Sequence, residues 1–217
     1  MNGSKNETNR LTGAGTLRAV QIDWSGQGKL FGRTADSTDP FSEEELAELI
    51  REGIAEVVFE GRNTVTDWGL SLWARFPLWA AAGGGGQMPI RDSLGNTDVV
   101  TNIANAKITE MKFGDASGGS APNITDRQLH DSSPVISVPV AASYFPATAE
   151  YAKIRFSGSL PASFPASGSI VLYEEGLFFK PDGVGEVLFA RVVMPGGVTK
   201  TSGVGLQFDH IIALSNL

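Results

Sequence analysis

Apolar residues recur along this chain at two spacings, and the spacing sorts the elements. Leu46, Leu49, Ile50 and Ile54 follow one another at the period of one helix face. Ser42 stands where a cap is needed and Glu45 follows three residues later, which makes a capping box. Glu43, Glu44 and Glu45 place negative charge in the first turn, where the helix dipole favours it. Gly53 marks the stop. The pattern predicts one short helix at about 43–52, with its apolar stripe on the core.

Elsewhere the pattern is that of strands. Ile154-Arg155-Phe156-Ser157-Gly158-Ser159-Leu160 alternates apolar and polar positions, with Lys153 and Arg155 expected to face water. Further strands are predicted at 17–22, 55–60, 103–113, 135–141, 152–160, 169–179, 186–194 and 205–213. Leu70, Leu72, Ala74 and Phe76 alternate too, predicting a strand that stops before Pro77. Turn signals separate these runs at Gly118-Gly119, Phe164-Pro165, Pro181-Asp182-Gly183 and Gly196-Gly197. No strand–helix–strand alternation appears, so the fold class is mainly β: an antiparallel β-sandwich or barrel-like module with one short helix in the N-terminal half. Four successive glycines, Gly83 to Gly86, have no side chain to pack and mark the best boundary. The expected organisation is a polar arm (1–20), a β-rich region (21–82), a Gly-rich linker (83–95) and a C-terminal β-sandwich (96–217).

Composition narrows the chemistry. The 217 residues contain no Cys, which removes disulfides, thiolate metal sites and cysteine nucleophiles. The formal charge is −7, against the basic face that nucleic acid or an anionic membrane requires. Neither a secretory leader nor an 18-residue apolar run is found, so cytoplasmic synthesis is expected. The two His, His130 and His210, have only Asp126, Asp131 and Asp209 near them in sequence, and Asp23, Asp36 and Asp39 lack the spacing of a calcium loop. No metal or cofactor is expected. Glu174 and Glu175 are adjacent, so in a strand they point to opposite faces and cannot share a glycosidic bond. Phosphate-loop, dinucleotide and Gly-x-Ser-x-Gly patterns are missing, and no enzyme activity is expected. Trp68, Trp73 and Trp79 cluster in the sequence; a core or subunit contact is the first reading and a sugar-stacking platform the second.

A series of short motifs runs from residue 108 to residue 210. It opens with Ile108-Thr109-Glu110-Met111-Lys112-Phe113-Gly114-Asp115. Pro122, Asp126 and Leu129 follow, then Glu174-Glu175-Gly176-Leu177-Phe178, Leu188-Phe189-Ala190-Arg191, Pro195 and Lys200. This resembles a module of tailed-bacteriophage virion proteins, similar to the N-terminal domain of phage tail-collar fibre proteins. Glu175 departs from the apolar residue usual in that pattern, and Gly196-Gly197 from its proline-rich approach to the Lys. The resemblance implies a virion component without activity of its own, at a collar, adaptor, tail, baseplate or capsid-surface position. Its partners would be other virion proteins and copies of itself. Gly114, Pro122, Asp126, Leu129, Glu174, Gly176, Leu177, Leu188, Ala190, Arg191, Pro195 and Lys200 would have structural jobs. From strand geometry, Gly176 permits a bend and Leu188 shares a face with Ala190. Arg191 and Glu174 pair across strands, worth about 0.2–1 kcal/mol if exposed.

Overall fold

The structure, a computed structural model, describes residues 12–72, 75, 88–101, 107–130, 136–144, 151–179 and 185–215. The elements in order are β1 (Thr12–Asp23), α1 (Glu43–Arg51), β2 (Ala55–Val65), β3 (Met88–Arg91), β4 (Thr97–Val100), β5 (Ile108–Gly114), β6 (Ile136–Pro139), β7 (Ala141–Tyr144), β8 (Tyr151–Leu160), β9 (Ser169–Phe179), β10 (Val187–Thr201) and β11 (Val204–Ser215). Nine strands form one antiparallel sheet in the order β6-β5-β9-β10-β2-β1-β11-β8-β7, and β3 and β4 form a separate hairpin. Only Val140 separates β6 from β7. β6 pairs with β5 and β7 with β8, so one bent run of chain draws the two sheet edges together into a nearly closed barrel.

The barrel interior follows from strand alternation. Leu17 and Ala19 of β1, Met111 and Phe113 of β5, Leu177 of β9, Val192 and Met194 of β10, and Leu206, Phe208 and Ile212 of β11 all point inward into one core. The rings of Phe113 and Phe208 meet at 4.5 Å, tilted by 45°. A second core forms outside the barrel, where Leu46 and Leu49 of α1 cover Val20, Ile22 and Ala55 together with Trp24, Leu30 and Phe41. Strand β1 is therefore apolar on both faces over this stretch. The helix forms as its sequence dictates: Ser42 accepts from Glu45 N, the Glu45 side chain accepts from Ser42 N, and Gly53 follows at a φ of 72°.

Several expectations change. Residues 12–20, assigned to a polar arm, belong to β1; they pair with β11 and, from Ala14 on, with β2 as well; residues 1–11 lie outside the described ones. β1 and β2 sit among the strands of the C-terminal half, so 83–95 does not divide two folded bodies, and β3 lies within that stretch. The segment 67–72 is helical, not extended. Thr66 Oγ1 accepts from Gly69 N at 2.9 Å, and Leu70 N bonds Thr66 O at 2.9 Å. This cap, with Asp67 in the first turn, outweighs a two-residue alternation that is too short to fix a period. Gly196 and Gly197 do not end a strand. They sit in a bulge of β10, where the register against β9 slips between Val193 and Val198.

Candidate functional site

The residues of the phage-like pattern can be followed one by one. Leu177 and Ala190 line the barrel core, and Gly114 is buried at the end of β5, opposite Glu174. Asp126, Leu129, Glu174, Gly176, Leu188 and Arg191 converge on the outer face of β9 and β10. Arg191 donates from Nε to Glu174 Oε2 at 3.0 Å and from Nη1 to Asp126 Oδ2 at 2.8 Å. Glu174 Oε2 also accepts from His130 N at 3.0 Å. Arg191 and Glu174 are 3% and 2% exposed, so the pair predicted across the strands is a buried one. Two charges removed from water are held here only because each meets oppositely charged or hydrogen-bonding partners.

Beside them, Leu129, Phe178 and Leu188 form a small apolar cluster. Gly176 makes room for it: a Cβ at that position would stand 2.8 Å from Leu129 Cδ2 and 3.0 Å from Leu188 Cδ1. Gly176 is therefore a seat for Leu129 and not a hinge. The bulge lies opposite, at Phe189 in β10, where the pairing steps from Leu188–Phe178 to Ala190–Leu177. That extra residue turns Leu188 outward while Phe189 and Ala190 point inward, which corrects the expectation that Leu188 and Ala190 share a face. The result is a clamp that fixes 115–130 to the barrel wall. Between this segment and the strands lies a cavity of about 390 Å³, lined in part by Pro122, Tyr173, Glu174, Met194 and Pro195.

Lys200, the last residue of the pattern, is 1% exposed and donates to Phe164 O and, at 3.0 Å, to Thr201 O. Burial pushes its ammonium below the usual lysine range, to about 8. Between pH 8 and roughly 10.4 the unfolded chain holds a proton that the folded chain has released, so this group makes the fold more stable as pH rises through that window. Lys200→Met is expected to remove the rise. Chemical denaturation of both proteins at pH 7, 9 and 10.5 would show wild type gaining on the variant; parallel curves would contradict this.

Two polar networks go beyond what was expected from the sequence. Under the N-terminus of α1, Asp209 Oδ1 accepts from Arg155 Nε at 2.9 Å, Ser157 Oγ at 2.8 Å and Gln207 Nε2 at 2.9 Å, and Asp209 Oδ2 from Arg18 Nη2 at 2.8 Å. Arg18 reaches on to both Glu43 oxygens, and Arg155 to Phe41 O. Arg155, expected to face water, is 3% exposed because α1 and the segment before it cover that side. Inside the barrel, Asn63 Nδ2 donates to His210 Nε2, and His210 Nδ1 donates to Glu175 Oε2 at 2.8 Å. Glu174 and Glu175 thus face opposite ways, one to the clamp and one to the lumen. The signal for the second network was present: His210 lies between Phe208 and Ile212 on an apolar strand face.

Of the clustered tryptophans Trp68, Trp73 and Trp79, only Trp68 is among the described residues; Trp73 and Trp79 lie outside them. The Arg127 guanidinium sits 4.0 Å from the centre of the Trp68 ring, and Arg127 also donates to Asp67 Oδ1 at 2.6 Å and Oδ2 at 3.0 Å. That ring face already carries a cation and is closed to a stacked sugar. Among the described residues no three His, Asp or Glu side chains stand close enough to hold a metal ion, and no helix is long and apolar enough to cross a membrane. No protein-family model, curated protein or solved structure matches the chain.

Proposed function

We propose that this chain is a structural component of a tailed-phage virion, made in the bacterial cytoplasm and acting through contacts with other virion proteins and with copies of itself. The clamp is the observation that carries the reading. Six residues of the phage-like pattern, distant in sequence, meet in one buried arrangement whose work is to hold a segment on a barrel wall. Such residues set shape and do not turn over a substrate. His210 and Glu175, a buried arrangement with general-base chemistry, are both 0% exposed inside the barrel and out of a substrate's reach. The remaining buried charges near α1 are consumed by one another. A barrel whose buried Arg, Asp and Glu side chains pair with one another is suited to collar, adaptor, baseplate or capsid-surface service.

Particles purified from lysates of the bacterium that makes this chain supply the test. Mass spectrometry is expected to find the chain at a fixed stoichiometry to the major virion proteins, and a particle reconstruction to place the barrel. Its absence from intact, purified particles would overturn the reading.

A further inference from the structure

The barrel wall is held unevenly. β6 and β7 stand at the two ends of the sheet order, so each makes a ladder on one edge only, whereas every other strand of that sheet pairs on both edges. Their ladders are also short. β6 meets β5 from Glu110–Pro139 to Phe113–Ile136, and β7 meets β8 from Ala141–Ser157 to Tyr144–Ile154. By contrast, β1 runs against β11 from Thr12–Ser215 to Asp23–Val204. Pro139 has no N–H to give to its ladder. Val140, between the two halves, donates from N to Thr109 O at 3.1 Å.

Burial over this stretch is equally thin. Of the side chains described in 136–144, Val138 is buried, Ile136 and Val140 are half-buried, and Ser137, Pro139, Ala141, Ala142 and Ser143 are exposed. Val138 is the plug. Its Cγ2 stands 2.9 Å from the place a Cβ of Gly158 would take, so it is seated against β8 at a residue with no side chain. Few buried side chains and a ladder on one edge give a segment a low opening free energy. Removing this segment leaves β5 paired with β9 and β8 paired with β11, so the rest of the wall does not depend on it for a partner.

We propose that residues 136–144 form a detachable strap, which leaves the barrel wall as one unit while the other strands stay paired. The strap closes the seam between β5 and β8, and its release opens the barrel there. Met111 and Phe156, the register partners of Val138 and Ala142 inside the core, then meet water. This goes beyond the virion reading and stands on the isolated protein, so a chain missing from particles would leave it intact.

Amide hydrogen exchange of the full chain under native conditions, read by NMR, tests the strap. Corrected for intrinsic rates, the hydrogen-bonded amides of 136–144, that of Val140 among them, are expected to exchange at least about tenfold faster than those of β1 and β11. Low urea is expected to change the strap's rates little, because a local opening exposes little surface, and those of β1 and β11 steeply. A disulfide supplies the lock. The chain has no Cys, so Val138→Cys with Gly158→Cys introduces a single pair, at a contact close enough to bridge. Oxidation of that variant is expected to slow the strap's exchange at least about tenfold relative to its own reduced form. Wild-type strap amides that exchange at the rate of β1 and β11, with the same urea response, overturn the proposal. So does a strap that exchanges as fast in the oxidised variant as in the reduced one.

Discussion

Asp209→Ala is expected to destabilise the protein by about 3–5 kcal/mol, the range seen when one partner of a buried ion pair is removed. Asp209 is fully buried, and its two oxygens receive bonds from Arg18, Arg155, Ser157 and Gln207. These donors come from β1, β8 and β11, so one carboxylate joins three strands. Without it, Arg155 remains at 3% exposure with Glu43 at 3.7 Å as its nearest anion. A chain of this size loses about 2–4 °C of melting temperature per kcal/mol, so calorimetry should record a fall of about 6–20 °C. Glu43→Ala is the control. Glu43 is 43% exposed and contributes in solvent, so its loss should cost no more than about 1 kcal/mol. Equal losses in the two variants would show that the network is not centred on Asp209.

Arg191→Ala is expected to cost a similar amount, about 3–5 kcal/mol, but to act first on one segment. It leaves Glu174 buried at 2% exposure without its cation, and it frees Asp126 from the wall. Segment 115–130 should then exchange its amide protons faster and be cut sooner by protease, while β1 and β11 keep their protection. Replacing the pair together, as Arg191→Met with Glu174→Leu, should recover much of the loss, because the buried carboxylate leaves with its cation and Asp126, 19% exposed, can turn to water. If the single variant melts as one unit with no selective exposure of 115–130, the clamp is not a separate locking device.

The strands were legible where alternation ran long, as in β8, or where turn signals bounded a run, as in β9. β8 and β9 fall within one residue of their expected limits, and α1 was marked by its own capping box. The helix at 67–72 was misread because Leu70 and Leu72 fit a strand as well as a turn of helix, while the Thr66 hydroxyl that decides between them carries no periodicity. The clamp was visible as residue types but not as a geometry. The Phe189 bulge reverses the faces of β10, and the shift of phase cannot be read in a run as uniformly apolar as Val187-Leu188-Phe189-Ala190. Arg155 was expected in water because its strand alternates; the cover over it comes from a helix more than a hundred residues earlier, which local spacing cannot report.

The pairing of β1 with β11 also sets an order of events during synthesis. Arg18 and Asp209 are 191 residues apart, yet they lie opposite each other in the same ladder. As the chain leaves the ribosome, β1 can pair with β2 and receive α1, but its other edge stays open until 204–215 has emerged. Leu17 and Ala19 wait over that interval with one neighbouring strand missing, and contacts this distant are slow to form. Folding of the whole barrel is therefore timed by its last strand, and the carboxylate of Asp209 arrives with that strand to fasten it.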